Sequence, residues 1–184
     1  MWHNGDVGMA LVTRSGSHTL FKQILKYQYP ENNQSEENKS SYDQTIWHPV
    51  KNLSNLYDLK CDNFVLNKEF AVMVRNPLER FRSACARKQC SPIGGLTTMQ
   101  EDVHFWSIHS MGLIVTTAKF FLFPCQLKDC MNYLNLPTNL EKLNGESDDK
   151  KPNLNQEEAE LFQAIYEKDI ELYNNVKEKC HGRF

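Results

Sequence analysis

Phe70-Ala71-Val72-Met73-Val74-Arg75-Asn76-Pro77-Leu78-Glu79-Arg80-Phe81-Arg82-Ser83 decides the fold. Its first five residues are apolar without alternation, which suits a strand covered on both faces, as in a parallel sheet with helices on either side. Arg75 falls at the carboxyl end of that strand. Asn76 is suited to cap a helix, and Pro77 is pre-set for the first helical position. Glu79 stands where a carboxylate reaches back to the cap. Leu78, Phe81, Ala84 and Cys85 give the helix one apolar face. In open α/β sheets, ligands bind outside the carboxyl ends of the strands. A guanidinium there, beside helix-terminal N–H groups, is suited to holding an anion such as phosphate. Arg80 and Arg82 read equally as an exposed helix face or as further cationic contacts.

Upstream, Met9-Ala10-Leu11-Val12-Thr13 is a run of strand length, followed by Arg14-Ser15-Gly16-Ser17-His18-Thr19 and an apolar helical face of Leu20, Phe21, Ile24 and Leu25. Strand, short Gly/Ser loop and helix is the arrangement in which backbone N–H groups form an anion nest. It is not a Walker A loop, because the G-x-x-x-x-G-K-[ST] pattern is absent. Taken alone, it is equally a capped helix after an edge strand. Residues 31–45 hold one aromatic and no aliphatic side chain, which predicts a mobile surface loop. Downstream, Ser91-Pro92-Ile93-Gly94-Gly95 reads as a break, and Met99, Val103, Trp106 and Ile108 to Leu113 as a helical segment. Lys119 to Phe123 reads as another buried strand, and Leu127, Cys130, Met131 and Leu134 mark a short helix. Residues 144–152 form a polar loop. The last helix is capped by Asn155 with Glu158 three residues on, and carries Leu161, Phe162, Ile165, Tyr166, Leu172, Tyr173 and Val176 on one side.

Three strand-to-helix units imply an α/β fold, a three-layer α/β/α arrangement with a central, mainly parallel sheet. A chain of 184 residues suits one domain spanning residues 1–184, with no internal linker. The 21 Lys and Arg against 23 Asp and Glu leave a net charge of −2, so no overall basic field points to nucleic acid or an anionic membrane. Any anion site has to be local. The six cysteines include no C-x-x-C pair, which favours reduced thiols over a disulfide framework. The first residues lack the pattern of a signal peptide, and no run approaches ~18 apolar residues. A soluble, cytoplasmic protein is expected.

Two of the strand-to-helix units carry an arginine at or just after the strand. A nucleotide with phosphates at both ends needs two separate anion sites on one rim. Here the chain resembles the sulfotransferases that use 3′-phosphoadenosine 5′-phosphosulfate (PAPS). In that family an R/K-[ST]-G-[ST] loop binds the 5′-phosphosulfate, and a later strand ending R-[DN]-P-x-x-R-x-x-S binds the 3′-phosphate. Arg14-Ser15-Gly16-Ser17 is similar to the first and Arg75 through Ser83 to the second. Leu154-Asn155-Gln156-Glu157-Glu158 and Tyr166 to Tyr173 are similar to the terminal helix of carbohydrate-type members. Residues 28–60 and 91–118, where such enzymes build their acceptor sites, lie outside the likeness.

The resemblance implies a P-loop-like fold and a nucleotide-binding transferase, with roles for particular residues. Arg14, Ser15, Gly16, Ser17, His18 and Thr19 are the expected 5′-phosphosulfate site, with Arg14 also neutralising charge on the departing oxygens. His18 replaces the hydroxyl residue common at that position, with Thr19 able to substitute. Arg75 and Ser83 are the expected 3′-phosphate clamp. Transfer to a hydroxyl also needs a base, because an alcohol is a poor nucleophile until its proton is leaving. His48 is the candidate, lying between the two motifs, with an ordinary pKa near ~6.5 close to working pH. It reads equally as a histidine hydrogen-bonded beside Trp47. His104, His109, Glu69 and Glu101 are weaker candidates. With no H-x-x-x-H pair or acidic cluster of suitable spacing, no metal is expected. The acceptor is a hydroxyl compound, and the resemblance alone suggests a glycan. The rivals are a non-catalytic nucleotide- or glycan-binding module and a P-loop-like phosphotransferase, the latter disfavoured by the missing Walker lysine.

Overall fold

Phe70–Val74 forms a strand with all five residues buried, because it has a strand on each side and packing on both faces. The computed structural model describes residues 2–3, 8–10, 12, 15, 20, 69–99, 101–102, 104–113, 118–138 and 150–181. Among these, the strands are β1 (Trp2–His3), β2 (Gly8–Ala10), β3 (Phe70–Val74) and β4 (Ala118–Leu122). The helices are α1 (Pro77–Lys88), α2 (Pro92–Thr97), α3 (Leu127–Tyr133) and α4 (Gln156–His181). The described sheet runs β1-β2-β3-β4. β1 pairs antiparallel with β2, whereas β2 with β3 and β3 with β4 are parallel. The register sets Ala10 beside Val72 and Val74 beside Leu122.

Alternation along β3 divides its side chains between two clusters. Ala71 and Met73 join Met9, Leu20, Phe121 and the α3 residues Leu127, Cys130 and Met131. Phe70, Val72 and Val74 join Val12, Ile108, Leu113, Leu122 and Val176 of α4. Helices therefore cover both faces of a mixed α/β sheet, which is why no residue of β3 is polar. A third cluster, with Phe81, Ala84 and Cys85 of α1, Leu96 of α2, Phe105, and Phe162 and Tyr166 of α4, fixes α1 against α4. Phe162 stacks on Tyr166 at 4.6 Å between ring centroids, and Phe81 meets both rings at an angle.

Several expectations need correction. The Ser91–Gly95 stretch is the start of α2, with Ser91 Oγ accepting from Gly94 N at 3.2 Å and Pro92 in the first turn. Ser-Pro is a helix-start signal in its own right, and the two glycines obscured it. The described residues between 101 and 113 are turns rather than a helix, held by Met111 N to Ser107 O and Leu113 N to Ile108 O, with Gly112 at φ +67°. On α1, Leu78 is 38% exposed, while Arg80 and Ser83 take buried places beside Phe81, Ala84 and Cys85. In β4 only Phe121 and Leu122 are buried. Lys119 lies outside, 4.4 Å from the centroid of the Tyr133 ring. The α4 cap forms as expected: Glu158 N donates to Asn155 Oδ1, and Asn155 N donates to Glu158 Oε2, both at 2.9 Å. Leu161, placed on its apolar side, is 39% exposed.

Candidate functional site

The parallel pairing of β2 and β3 brings Ser15 and Arg75 to one rim of the sheet. Ser15 lies five residues beyond Ala10, and Arg75 three beyond its register partner Val72. Ser15 is fully buried in the turn after β2, its N–H donating to Val12 O at 3.3 Å. Its hydroxyl Oγ has no hydrogen-bond partner among the described residues. An unpaired buried hydroxyl costs about 1–3 kcal/mol, so native proteins rarely keep one without a use. A phosphate-like anion is a partner of the right chemistry.

Across the rim, Arg75 is half-buried and Ser83 buried. Ser83 stands six residues past Pro77, about 9 Å along the helix axis. Asn76 caps α1 with its own side chain, Oδ1 accepting from Leu78 N at 3.0 Å and Glu79 N at 3.2 Å. Pro77 has no N–H and Arg80 N is bonded to Asn76 O. The helix-terminal N–H groups expected to hold the anion are thus occupied by the cap itself. Nor does Glu79 reach back to the cap. Its carboxylate accepts from Arg82 Nη1 at 3.0 Å and from Lys151 Nζ at 3.2 Å.

The later arginines of the motif belong to the scaffold. Arg80 is 2% exposed, donating from Nη2 to Asp169 Oδ2 at 3.2 Å and from Nη1 to Trp106 O at 2.7 Å. Burial lowers its pKa, with Asp169 and then Tyr166 acting in the opposite direction. Asp169 also accepts from Ile108 N at 2.8 Å and His109 N at 3.0 Å, and Tyr166 OH donates to Phe105 O. Arg82 donates from Nε to Pro152 O at 2.8 Å and from Nη2 to Asn153 Oδ1 at 2.8 Å. The described end of the 144–152 loop is therefore fastened to α1. A groove of about 550 Å³ between α1 and α4, bounded by Asn76, Leu78, Arg82, Asn153 and Tyr173, opens beside the cap. Its cation is already committed to carbonyl oxygens, which argues against a phosphate lying there.

Asp169 was missed in the sequence. The available signal was a carboxylate interrupting the apolar stripe Phe162, Tyr166, Tyr173 and Val176 at helical spacing. Among the weaker base candidates, His104 Nδ1 is 2.6 Å from Asp102 Oδ1, and Lys88 Nζ is 2.8 Å from Asp102 Oδ2. His109 is exposed, and Glu69 accepts from Tyr133 OH at 2.8 Å. Lys88 lies at the end of α1 remote from Arg75, eleven residues or about 16 Å from Pro77, so this cluster belongs to another surface. His48, Arg14, Gly16, Ser17, His18, Thr19 and the 31–45 loop lie outside the described residues. Among the described residues, no three His, Cys, Asp or Glu side chains converge as metal ligands. No described helix is long and apolar enough to cross a membrane.

No protein-family model, curated protein or solved structure matches the chain.

Proposed function

We propose that this protein is a PAPS-dependent sulfotransferase of three-layer, P-loop-like architecture, acting on a hydroxyl acceptor of the carbohydrate class. One observation carries the reading: the buried Ser15 hydroxyl, without a partner among the described residues, stands after β2, on the same rim where neighbouring β3 delivers Arg75 and a helix bearing Ser83. The donor set suits a nucleotide with phosphate at both ends, since it comprises hydroxyls and guanidinium without a cluster of carboxylates. Ser15, Gly16, Ser17, His18 and Thr19 would hold the 5′-phosphosulfate, and Arg75 with Ser83 the 3′-phosphate. When bound, the donor supplies a sulfuryl group and leaves as adenosine 3′,5′-bisphosphate. Arg14 would stabilise charge on the departing oxygen, and His48 would take the proton from the acceptor hydroxyl. The scaffold contacts of Arg80 and Arg82 hold α1 still, and alignment of the reacting groups is a large part of such catalysis.

Calorimetry with adenosine 3′,5′-bisphosphate tests the assignment, using wild type and Arg75→Ala. Binding by the wild type that weakens at least tenfold in the variant is expected. No binding by wild type, or binding indifferent to the substitution, would refute it. Binding without sulfuryl transfer to any glycan would instead favour the non-catalytic module.

A further inference from the structure

Residues 85–90 close α1 with a turn that sets two cysteines against each other. Gln89 adopts the left-handed conformation at φ 53°, so that its N–H donates to Ala86 O at 3.3 Å and Cys90 N–H to Cys85 O at 3.1 Å. This pair of bonds is the Schellman closure, in which the side chains at the fourth-last helical residue and the second residue past the helix come into contact. Those positions are Cys85 and Cys90. The 3.1 Å N···O contact, with backbone bonds of about 1.5 Å, keeps their α-carbons within about 7 Å, the upper edge of disulfide spacing. Cys90 packs on the cluster to which Cys85 belongs. Both are free thiols, Cys85 buried and Cys90 half-buried. Cys85 Sγ is also hemmed in by Gly95, where a Cβ would lie 3.1 Å from it.

We propose that Cys85 and Cys90 are a redox-active dithiol that closes to an internal disulfide by exchange with a small-molecule disulfide. The Cys90 thiolate, the more accessible of the two, attacks one sulfur of the oxidant, forms a mixed disulfide and expels the first thiolate. The Cys85 thiolate then attacks Cys90 sulfur and expels the second. The two protein thiols lose their protons and are oxidised together, and the oxidant is reduced to two thiols. Burial, followed by the neighbouring Cys90, pushes the Cys85 pKa up to about 12, so the second step is the slow one and speeds up as pH rises. The inference rests on the α1 terminus alone and is independent of the sulfotransferase reading.

The test treats the full chain with glutathione disulfide, blocks remaining thiols with an alkylating agent and digests it with trypsin without reduction. Cleavage after Arg87 and Lys88 separates the two cysteines, so a disulfide is seen as a linked pair of peptides. Expected are that linked pair, closure about tenfold faster per pH unit between pH 7 and 9, and a glutathione adduct at exposed Cys125 as the internal comparison. Cys85→Ser should trap the adduct on Cys90, and Cys90→Ser should leave Cys85 reduced. A stable adduct on Cys90 in the wild type, or alkylation of both cysteines in the folded protein, overturns the proposal. The wild-type digest decides the matter even if either variant fails to fold.

Discussion

Replacing Asp169 by alanine removes the point at which three parts of the molecule are tied together. The carboxylate accepts from Arg80 Nη2, Ile108 N and His109 N, at 3.2, 2.8 and 3.0 Å, and is 1% exposed. Removing one member of a buried ion pair costs about 3–5 kcal/mol, because the other charge remains in a low-dielectric site. Two backbone N–H groups also lose their acceptor, at about 1–3 kcal/mol each where water cannot reach them. Relaxation makes these costs less than additive, and a loss of about 5 kcal/mol is expected, a large part of the ~5–15 kcal/mol that holds a domain together. Arg80→Met should cost less, about 3 kcal/mol, since Asp169 keeps both backbone donors. Pairing Arg80→Met with Asp169→Leu should lose at least about 2 kcal/mol less than the single changes summed. Urea unfolding followed by circular dichroism gives the energies. Trp106, whose carbonyl Arg80 holds, adds a local fluorescence signal. Arg80→Met costing more than Asp169→Ala, or additive energies in the cycle, would refute this account of the node.

Ser15→Ala should leave the stability of the unliganded protein unchanged or slightly raised, because it deletes a buried oxygen that has no partner among the described residues. It should nonetheless weaken adenosine 3′,5′-bisphosphate binding about tenfold, the worth of one hydrogen bond to a charged group, and calorimetry with thermal unfolding reads both. Partial burial tends to raise the Asp102 pKa, but hydrogen bonds from Lys88 and from the His104 backbone and ring outweigh it, taking it from 3.8 to about 2. Because the folded value is the lower one, this contribution is present above about pH 4 and is lost as pH falls toward 2. It amounts to about 1 kcal/mol at a site that is partly solvent-exposed, so urea midpoints of Asp102→Asn should fall less steeply than those of wild type across that window.

The central strand and the two capped helices were legible because each rests on local physics. Five consecutive apolar residues require two covered faces, Asn76 and Asn155 satisfy N–H groups within their own turn, and Pro77 has its φ preset. The parallel order of β2, β3 and β4 also follows from strands separated by long connections. What was not legible depends on distant partners. Arg80 and Arg82 have the same composition and almost the same position, yet one pairs with Asp169 across 89 residues and the other with carbonyls of residues 151 and 152. Nothing within α1 foretells that difference. The stretch from 101 to 113 misled for a similar reason. Phe105 is buried between α1 and α4, Ile108 and Leu113 against β3 and α4, and Asp169 supplies the hydrogen bonds at Ile108 and His109 that a helix would otherwise make for itself.

These long-range ties also explain why one motif holds so many cations. An anion clamp at the rim works only if the helix bearing Ser83 keeps its distance from the strand bearing Arg75, and the single-residue link through Asn76 does not by itself enforce that. Arg80 pins the first turn of α1 to Asp169 on α4, Arg82 pins its flank to residues 151–153, and Asn76 caps its N-terminus. The ties of Arg80 and Arg82 reach different parts of the chain, Asp169 of α4 and residues 151–153, so a rotation or slide of α1 would break both. A clamp set in place before its ligand arrives does not lose binding energy to ordering it. On the proposed reading, the arginines that do not face the rim are the means by which Arg75 and Ser83 would stay in register with Ser15.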